Sequence, residues 1–171
     1  MDTSKLAISV RRARSTDAAA LAELVNRAYA VEGFFVDGQR TTADEIARLV
    51  DAGSFLVLER DGDEPMIAAA VHVDPGADPR DGGTIGMLSV EPSLQGMGLG
   101  TRLVGIAEAM CEAMGATRVR LRIVNLREEL ARWYRSLGYR EVGTAPYDHR
   151  PVKQPCHFVE MHKPLATRVA A

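Results

Sequence analysis

Three glycines fall within five residues, at Gly96, Gly98 and Gly100. An apolar, strand-like run ends at Val90, and a helical pattern follows the glycines. A glycine turn that opens a helix is an anion site, because the first N–H groups of a helix have no intrahelical partner. Without a Cβ, a glycine also lets a phosphate come close to the backbone. The same glycines would equally allow tight packing of a strand on a helix, so both explanations stay open.

Two common phosphate-binding motifs do not fit this stretch. The P-loop requires a lysine after its last glycine, and the dinucleotide fingerprint requires GxGxxG with an acidic residue about twenty positions further on. Here the spacing is GxGxG, no lysine follows, and the corresponding region reads Arg-Leu-Arg-Ile-Val. What does fit is Gln95-x-x-Gly98-x-Gly100, placed after the run Leu88-Ser-Val-Glu-Pro92.

This stretch resembles the Gln/Arg-x-x-Gly-x-Gly/Ala signature of the GCN5-related N-acetyltransferase (GNAT) family. A second resemblance follows one strand later, in Asn125 and a helical segment that carries Tyr134 and closes on Gly138 and Tyr139. Both motifs occur in the family's order, and the order of strands and helices expected from the sequence matches the family's fold across nearly the whole chain. The resemblance implies the α+β, three-layer fold of acyl-CoA N-acyltransferases, a mixed central sheet of about seven strands flanked by about four helices. It also implies a single domain over residues 1–171.

The resemblance further implies a cofactor, acetyl-CoA, and a role for each residue that matches a motif. Backbone amides of the glycine stretch would bind the pyrophosphate of coenzyme A. The strand before it would pair with the pantetheine arm like an added strand, and an N–H near Leu88 would face the thioester oxygen. Asn125 would reach the pantetheine, and Tyr134 would act as general acid at the sulfur. The implied cofactor-binding residues are Leu88, Ser89, Val90, Gln95, Gly96, Met97, Gly98, Leu99, Gly100, Thr101, Asn125 and Tyr134.

Two of these residues have structural alternatives. Asn125 stands where a helix N-cap is expected, and Glu128 occupies the third helical position of a capping box. Tyr134 neighbours the apolar stripe of Trp133 and Leu137, so its ring could belong to the core while its hydroxyl reaches the surface.

The general base and the acceptor site are less clearly encoded. The strand before the glycines, residues 83–90, contains no carboxylate. Glu32 and His149 are the candidate bases, because the loops that carry them flank the acceptor cleft in the family; the alternative for each is a solvated loop residue. The candidate acceptor-binding residues are Tyr29, Glu32, Phe34, Phe35 and His149.

Hydrophobic periodicity supplies the elements that must position these residues. Strands are predicted over residues 8–14, 54–59, 66–73, 84–90, 117–124, 139–142 and 156–161. Helices are predicted through residues 21–28, from a capping box at Thr42 to Gly53, through residues 99–114 up to Gly115, and through residues 126–137 up to Gly138. Residues 31–40 are predicted to form a loop. The sheet should be antiparallel early, with a parallel pair around the third helix.

Composition sets the broad class. The chain has 171 residues, a net charge of −2 and two cysteines, Cys111 and Cys156. Such a charge excludes strong general attraction to nucleic acid or to anionic membrane, and no cysteine or histidine spacing fits a metal site. The first residues lack a basic region followed by an apolar one, so no signal peptide is expected, and no apolar run is long enough to span a membrane. We therefore expect a cytoplasmic protein. The sequence does not decide between a monomer and a homodimer.

The function predicted on this basis is transfer of an acetyl group from acetyl-CoA to the primary amine of a small molecule, by direct attack. Two alternatives remain at the level of sequence. One is acetylation of a protein or peptide, which needs an open groove. The other is an acyl-CoA-binding module without catalysis, which the missing carboxylate in residues 83–90 leaves open.

Overall fold

The strands and helices follow the predicted order. We describe residues 7–53 and 55–166 of a computed structural model. The expectation that the first six residues do not begin a signal peptide and the predicted strand start at Ser54 concern residues outside this part. The strands are β1 (Ile8–Arg12), β2 (Phe55–Arg60), β3 (Met66–Asp74), β4 (Gly83–Val90), β5 (Arg118–Val124), β6 (Arg140–Pro146) and β7 (His157–Pro164). The helices are α1 (Ala18–Tyr29), α2 (Ala43–Asp51), α3 (Leu99–Ala113) and α4 (Glu128–Ser136).

The seven strands form one mixed sheet in the order β1-β2-β3-β4-β5-β7-β6. The pairs β1/β2, β2/β3, β5/β7 and β6/β7 are antiparallel. The pair β4/β5 is parallel, with Gly83 opposite Val119 and Thr84 opposite Arg120. Because α3 connects these two strands, it is the crossover helix of a β-α-β unit. The predictions of a mixed seven-stranded sheet, four helices and a parallel pair around the third helix are confirmed.

The chain divides into two compact units. The first contains the described residues up to Ala30 together with Gln39–His72 and Met87–Gly105. Its core packs α1 and α2 with β2, and Leu21, Leu24, Ile46 and Phe55 are each no more than 1% exposed. The N-terminus of α2 is held by the Thr42 side chain, which accepts a hydrogen bond from the Glu45 N–H at 3.2 Å, as the capping pattern predicts.

The second unit contains Val31–Gly38, Val73–Gly86 and the described residues from Ile106 onward. It holds α4, β5, β6, β7 and most of α3. One of its buried clusters consists of Phe35, Val36, Val124 and Phe158. The helices end where glycines were predicted to end them, because Gly115 and Gly138 adopt positive φ angles of 92° and 97°. None of the described helices is long and apolar enough to cross a membrane.

Two local predictions are wrong. Residues 31–40 are not a plain loop, since Ala30–Phe34 forms a short 3-10 helix and Val36 makes an isolated antiparallel bridge to Val152. That bridge depends on a partner more than a hundred residues away, which periodicity cannot show. The sixth strand extends to Pro146 and not to residue 142, because it pairs with β7 up to His157. Its own residues are nearly all exposed, so it carries no apolar alternation to mark its length.

Candidate functional site

The predicted phosphate loop lies in the first unit, between β4 and α3. A short 3-10 helix, Pro92–Leu94, follows β4, and α3 begins at Leu99. Leu94 and Leu99 are 8% and 7% exposed, whereas residues 95–98 between them are exposed. The Gln95 side chain donates from Nε2 to the Val90 carbonyl oxygen at 3.3 Å. Two buried leucines therefore anchor a loop whose backbone faces solvent.

Glycine is required at two positions of this loop. Gly96 and Gly98 each have a φ of +79°, which L-residues with a Cβ adopt only at a cost. No atom lies within 4 Å of the place where a Cβ would stand on either of them. The two residues thus form an open concave stretch of backbone that added side chains would fill.

The same glycines lead into the first turn of α3. The Gly98 carbonyl oxygen accepts a hydrogen bond from the Arg102 N–H at 3.0 Å, which makes Gly98 the residue that precedes the helix. The N–H groups of Leu99, Gly100 and Thr101 consequently have no acceptor within the helix. Alternating left-handed residues and free helix-terminal N–H groups are the arrangement that binds phosphate through the backbone alone. The residues present therefore fit the pyrophosphate of an acyl-CoA.

Strand β4 carries a distortion that the sequence did not reveal. Met87 has a φ of +48°, and it is a non-glycine residue in the left-handed region. The Ser89 hydroxyl donates to the Met87 carbonyl oxygen at 3.0 Å, and Ser89 is 1% exposed. Such irregularities re-aim the backbone of a strand and are frequent beside active sites. Leu88, whose N–H was predicted to face the thioester oxygen, directly follows the distortion. Methionine carries no sequence signal for this conformation.

The second unit contains Tyr134, buried among aromatic rings. It lies on α4 and is 6% exposed. The Trp133 ring lies 4.8 Å from it and the Tyr139 ring 5.4 Å, both edge to face. The Tyr139 hydroxyl donates to Glu108 Oε1 at 2.9 Å, and Lys163 Nζ lies 2.9 Å from Glu108 Oε2. Burial and the Glu108 carboxylate raise the pKa of Tyr139 far above its ordinary value. The Tyr134 ring therefore packs on Tyr139, whose hydroxyl is held by the Glu108 carboxylate.

Asn125 does not cap the following helix. The residue preceding α4 is Arg127, which makes no side-chain capping bond. Asn125 Oδ1 instead accepts from the His157 N–H at 2.8 Å, and the Asn125 N–H donates to the His157 carbonyl oxygen at 2.9 Å. The capping alternative is wrong, because the chain uses this amide to fasten the end of β5 to the start of β7. The side-chain oxygen is engaged, so the amide NH₂ group is the part of Asn125 that can serve a ligand.

Glu32 is a buried carboxylate between two arginines. It is 5% exposed, accepts from Arg150 Nη2 at 2.8 Å, and lies 3.3 Å from Arg127 Nη1. Both guanidinium groups are themselves largely buried. The alternative of a solvated loop residue is therefore wrong for Glu32. Long-range pairing of this kind leaves no mark in the local sequence.

Two loops of the second unit are tied to each other around this carboxylate. Beyond the Val36–Val152 bridge, the Lys153 N–H donates to the Phe35 carbonyl oxygen at 2.8 Å, and Lys153 Nζ donates to the Gly33 carbonyl oxygen at 2.7 Å. The Asp37 N–H donates to the Pro151 carbonyl oxygen at 3.1 Å. Residues 31–38 and 147–154 therefore form one hydrogen-bonded layer rather than two separate flaps.

The predicted acceptor-side residues divide accordingly. Phe34 is 53% exposed and His149 is also exposed, whereas Phe35 is fully buried and belongs to the core. The His149 ring packs edge-on at 5.1 Å from Phe158. Tyr29 lies in the first unit at the end of α1, with the Arg40 guanidinium 5.5 Å from its ring. Glu32, Phe34 and His149 thus belong to the second unit, and Tyr29 belongs to the first.

A cavity of about 340 Å³ opens in the second unit beside Asn125. Its apolar wall comes from β5, β7 and α4, and charged side chains of α4 and β6 stand around it. Sequence analysis did not identify these charged side chains as part of a binding cavity. The lining residues are Ile123, Val124, Asn125, Glu128, Ala131, Arg132, Arg135, Glu141 and Val159.

Comparison with solved structures returns the same fold repeatedly. The protein yncA from Salmonella typhimurium, described as an acetyltransferase and solved with its cofactor acetyl-CoA, is 20% identical, with a TM-score of 0.74 over 96% of this chain and 97% of its own. An N-acetyltransferase from Staphylococcus aureus Mu50 is 14% identical, with a TM-score of 0.74 over 92% and 98%. The ribosomal-protein-S18-alanine N-acetyltransferase from Escherichia coli is 17% identical, with a TM-score of 0.70 over 96% and 99%.

Comparison of sequences identifies the family. No curated protein sequence matches the chain. The family model "Acetyltransferase (GNAT) family" matches residues 19–139, which is more than half of the chain and includes the glycine loop, Asn125 and Tyr134. The chain therefore belongs to the GNAT family and is an acyl-CoA-dependent N-acyltransferase with acetyl-CoA as its cofactor.

Proposed function

We propose that this protein transfers the acetyl group of acetyl-CoA to the primary amine of a small molecule. The observation that carries the proposal is the loop of residues 95–101, where two left-handed glycines and the first turn of α3 form an anion site made of backbone alone. The joined layer of residues 31–38 and 147–154 supports a small acceptor, because hydrogen bonds between those two segments leave less room for an extended peptide to pass between them.

The residues of the first unit bind the cofactor in this proposal. The N–H groups from Gln95 to Thr101 hold the pyrophosphate. The backbone of residues 88–90 pairs with the pantetheine arm, and the Leu88 N–H stabilises negative charge on the thioester oxygen. The Ser89 side chain takes no part, because its hydroxyl is committed to the Met87 carbonyl within the strand. Acetyl-CoA supplies an activated acetyl group and a thiolate that can leave.

Tyr134 assists the leaving sulfur. Bound acetyl-CoA would present its thioester carbonyl to the acceptor nitrogen, and Tyr134 would hold a hydrogen bond ready for the sulfur that leaves. The reference pKa of a thiol is about 8.5 and that of tyrosine about 10, so complete proton transfer from tyrosine costs about 2 kcal/mol. Tyr134 therefore donates a hydrogen bond that becomes a proton transfer late in the reaction. In this proposal the Asn125 NH₂ group binds the pantetheine.

The acceptor amine must lose a proton. An alkylamine with a reference pKa near 10.4 requires about 4.6 kcal/mol to be neutral at pH 7. The Glu32 carboxylate is a poor acceptor of that proton, because two arginines already donate to it. We assign Glu32 to positioning the acceptor loops, and we assign proton removal to His149, whose ring is exposed, or to water beside it.

Calorimetry and a thiol-release assay test the proposal. Acetyl-CoA should bind the protein, and thiol release should depend on an amine drawn from a panel of small amines, amino acids and short peptides. Absence of binding to acetyl-CoA and to CoA at millimolar concentration would refute the proposal. Turnover on small amines supports it, and turnover restricted to peptides would assign the enzyme to protein acetylation. Binding without turnover on any acceptor would favour a non-catalytic module.

The peptide alternative draws support from one relative. The similar protein from Escherichia coli is named for acetylating an alanine of ribosomal protein S18.

The two cysteines of this chain are free, which agrees with the reducing cytoplasm that we propose as its location. We also propose that residues 1–171 act as one catalytic domain. The assay applied across a range of protein concentrations would reveal a dependence on homodimer formation.

A further inference from the structure

One face of the sheet in the second unit carries a row of arginines that the acetyl-transfer reaction does not use. Arg118, Arg120 and Arg122 are two residues apart on β5 and therefore share a face. His162 of β7 lies opposite Arg120 on one side and opposite Arg140 of β6 on the other. Because directly opposed residues of antiparallel strands point to the same side, these five side chains form one surface. We call Arg118, Arg120, Arg122, Arg140 and His162 the basic sheet face.

The positive charge of this face is largely unneutralised. Glu160 lies opposite Arg122 and binds it at 2.7 Å. Within residues 7–53 and 55–166, no acidic side chain pairs with Arg118, Arg120 or Arg140. These three arginines, two on β5 and one on β6, repel one another and have no acidic side chain to offset the repulsion. Burial and the charges of Arg118 and Arg120 lower the pKa of His162, as expected for an imidazole in a positive field.

Two of the arginines are held in place by backbone. Arg118 Nε donates to the Asp81 carbonyl oxygen at 3.1 Å, and Arg120 Nη2 donates to the Gly82 carbonyl oxygen at 3.4 Å. A Cβ on Gly82 would stand 2.7 Å from Arg118 Cγ, so the glycine makes room for the arginine stem. Their guanidinium groups are therefore ordered before any ligand arrives, which lowers the entropic cost of binding.

The spacing of the face matches an extended chain. Alternate residues of a strand are about 6.6 Å apart, and neighbouring strands about 4.8 Å apart. An extended peptide with acidic residues at alternate positions presents its carboxylates at the same interval. Each guanidinium can donate two parallel hydrogen bonds to one carboxylate.

The face is less suited to a nucleic acid. Binding of single strands relies on exposed aromatic rings on which bases stack. The aromatic ring beside these arginines is Phe158, which lies 6.0 Å from the Arg122 guanidinium and is 7% exposed. The net charge of the chain, −2, also provides no general attraction to phosphate.

We propose that the basic sheet face is a docking surface for an acidic, extended peptide segment of a partner protein. The segment lies along β5 with alternate carboxylates on Arg118 and Arg120, and Arg140 binds a further acidic group across the sheet. The interaction is separate from acetyl transfer, so it holds whatever the acceptor amine is.

Fluorescence anisotropy with a labelled peptide of about ten residues, alternating Glu and Ser, tests the proposal. The full chain should bind it, and binding should weaken between about 50 and about 200 mM NaCl because the contacts are exposed ion pairs. The double variant Arg118→Gln/Arg120→Gln should bind at least about tenfold more weakly, since it removes two charge-assisted contacts. The double variant Arg14→Gln/Arg48→Gln removes the same charge from exposed residues elsewhere, and its affinity should be unchanged.

Each other outcome overturns the proposal. No binding of the Glu-Ser peptide at low salt, or an equal loss in the two double variants, would exclude a specific site. Tighter binding of a decamer of thymidylate than of the peptide, lost in the Arg118→Gln/Arg120→Gln variant, would assign the face to nucleic acid. Calorimetry with acetyl-CoA on both variants reports whether they are folded. If they are not, the charge reversal Arg140→Glu, on an exposed edge strand, must lower peptide affinity for the proposal to stand.

Discussion

Glu32 and Arg150 are 118 positions apart in the chain and 2.8 Å apart in space. The contact joins the 3-10 helix after α1 to the loop before β7, and Arg127 approaches the same carboxylate from the segment before α4. The three side chains are mostly withdrawn from water. A buried carboxylate of this kind is held by its partners, and loss of its charge leaves the buried Arg150 guanidinium without a counter-ion and Arg127 with only the exposed Glu129.

Glu32→Gln should therefore lower stability and acceptor affinity without changing the pH profile. We expect the free energy of unfolding to fall by about 3 kcal/mol, the range found when one partner of a buried ion pair is removed. The KM for the amine should rise more than kcat falls, because the acceptor loops lose their fastening. Denaturant melts and steady-state kinetics measure both effects, and loss of the acidic limb of the kcat/KM profile, where activity falls as a base is protonated, would instead make Glu32 the base.

Glu129→Gln is the matched control for that variant. Glu129 also binds Arg127, but its side chain is 56% exposed. An exposed ion pair contributes about 0 to 1 kcal/mol, so this variant should be close to wild type in stability and KM. A comparable loss in both variants would show that Arg127, and not the buried carboxylate, controls the loops.

Gly98→Val should abolish binding of acetyl-CoA while leaving a folded protein. Valine at φ +79° is strained, which costs about 1–2 kcal/mol, and its side chain would fill the concave backbone in front of α3. Gly96 has the same φ and the same open space, so Gly96→Val should also weaken binding. Calorimetry with CoA measures the loss. Gly62→Val, at an exposed turn without positive φ, should bind normally, and retained binding in Gly98→Val would remove the pyrophosphate from this loop.

The sequence predicted what depends on local pattern and missed what depends on distant pairing. The order of strands and helices along the chain and the glycine turn follow from periodicity, capping and glycine placement. The bend at Met87 and the arginines around Glu32 do not, because nothing near these residues in the chain announces them. Asn125 shows the opposite error: its position suits a helix cap, yet the pairing of β5 with β7 places the His157 N–H within its reach. A local conformational preference is overridden where a tertiary hydrogen bond satisfies the same polar group.

Tyr134→Phe should lower kcat with little change in KM. The substitution keeps the ring that packs on Trp133 and Tyr139 and removes the hydroxyl that we assign to the leaving sulfur. A general acid contributes about a hundredfold or more, and thiol release under saturating acetyl-CoA measures the loss. Tyr139→Phe, which keeps the ring beside Tyr134 and removes a hydroxyl without an assigned role in the reaction, is the control. An undiminished kcat in Tyr134→Phe would refute the assigned role.

The titration of His162 should report the positive field of the basic sheet face. Arg118 and Arg120 of β5 lower its pKa, as does burial, whereas Glu160 raises it; Arg140 of β6 also lies opposite it. A histidine whose pKa is lower in the folded state stabilises the fold above its unfolded pKa, near 6.5, and that contribution is lost as the pH falls through the folded value. NMR titration should give a pKa below 6.5, and Arg120→Gln should raise it. If the pKa of His162 were the same in Arg120→Gln as in the wild type, the arginine would not contribute to the positive field at His162.

Glu108 links Tyr139 to Lys163, and the link should be worth more than either hydrogen bond alone. Tyr139 is 1% exposed, and its hydroxyl and Lys163 Nζ both donate to the one carboxylate. Tyr139→Phe removes a donor and leaves Glu108 paired with Lys163, so the free energy of unfolding should fall by about 1 kcal/mol. Glu108→Ala leaves a buried hydroxyl without its acceptor, and the loss should be about 2–4 kcal/mol.

Urea melts of the two single variants and of the double variant measure this coupling. Because the residues are in contact, the double variant should lose less than the two single variants together. Tyr139→Phe should also leave the Tyr134 ring packed, so its kcat should stay near that of the wild type. A strictly additive double variant would show that Glu108 acts on stability through Lys163 alone, and a large loss of kcat in Tyr139→Phe would show that the Tyr139 hydroxyl itself controls the position of Tyr134.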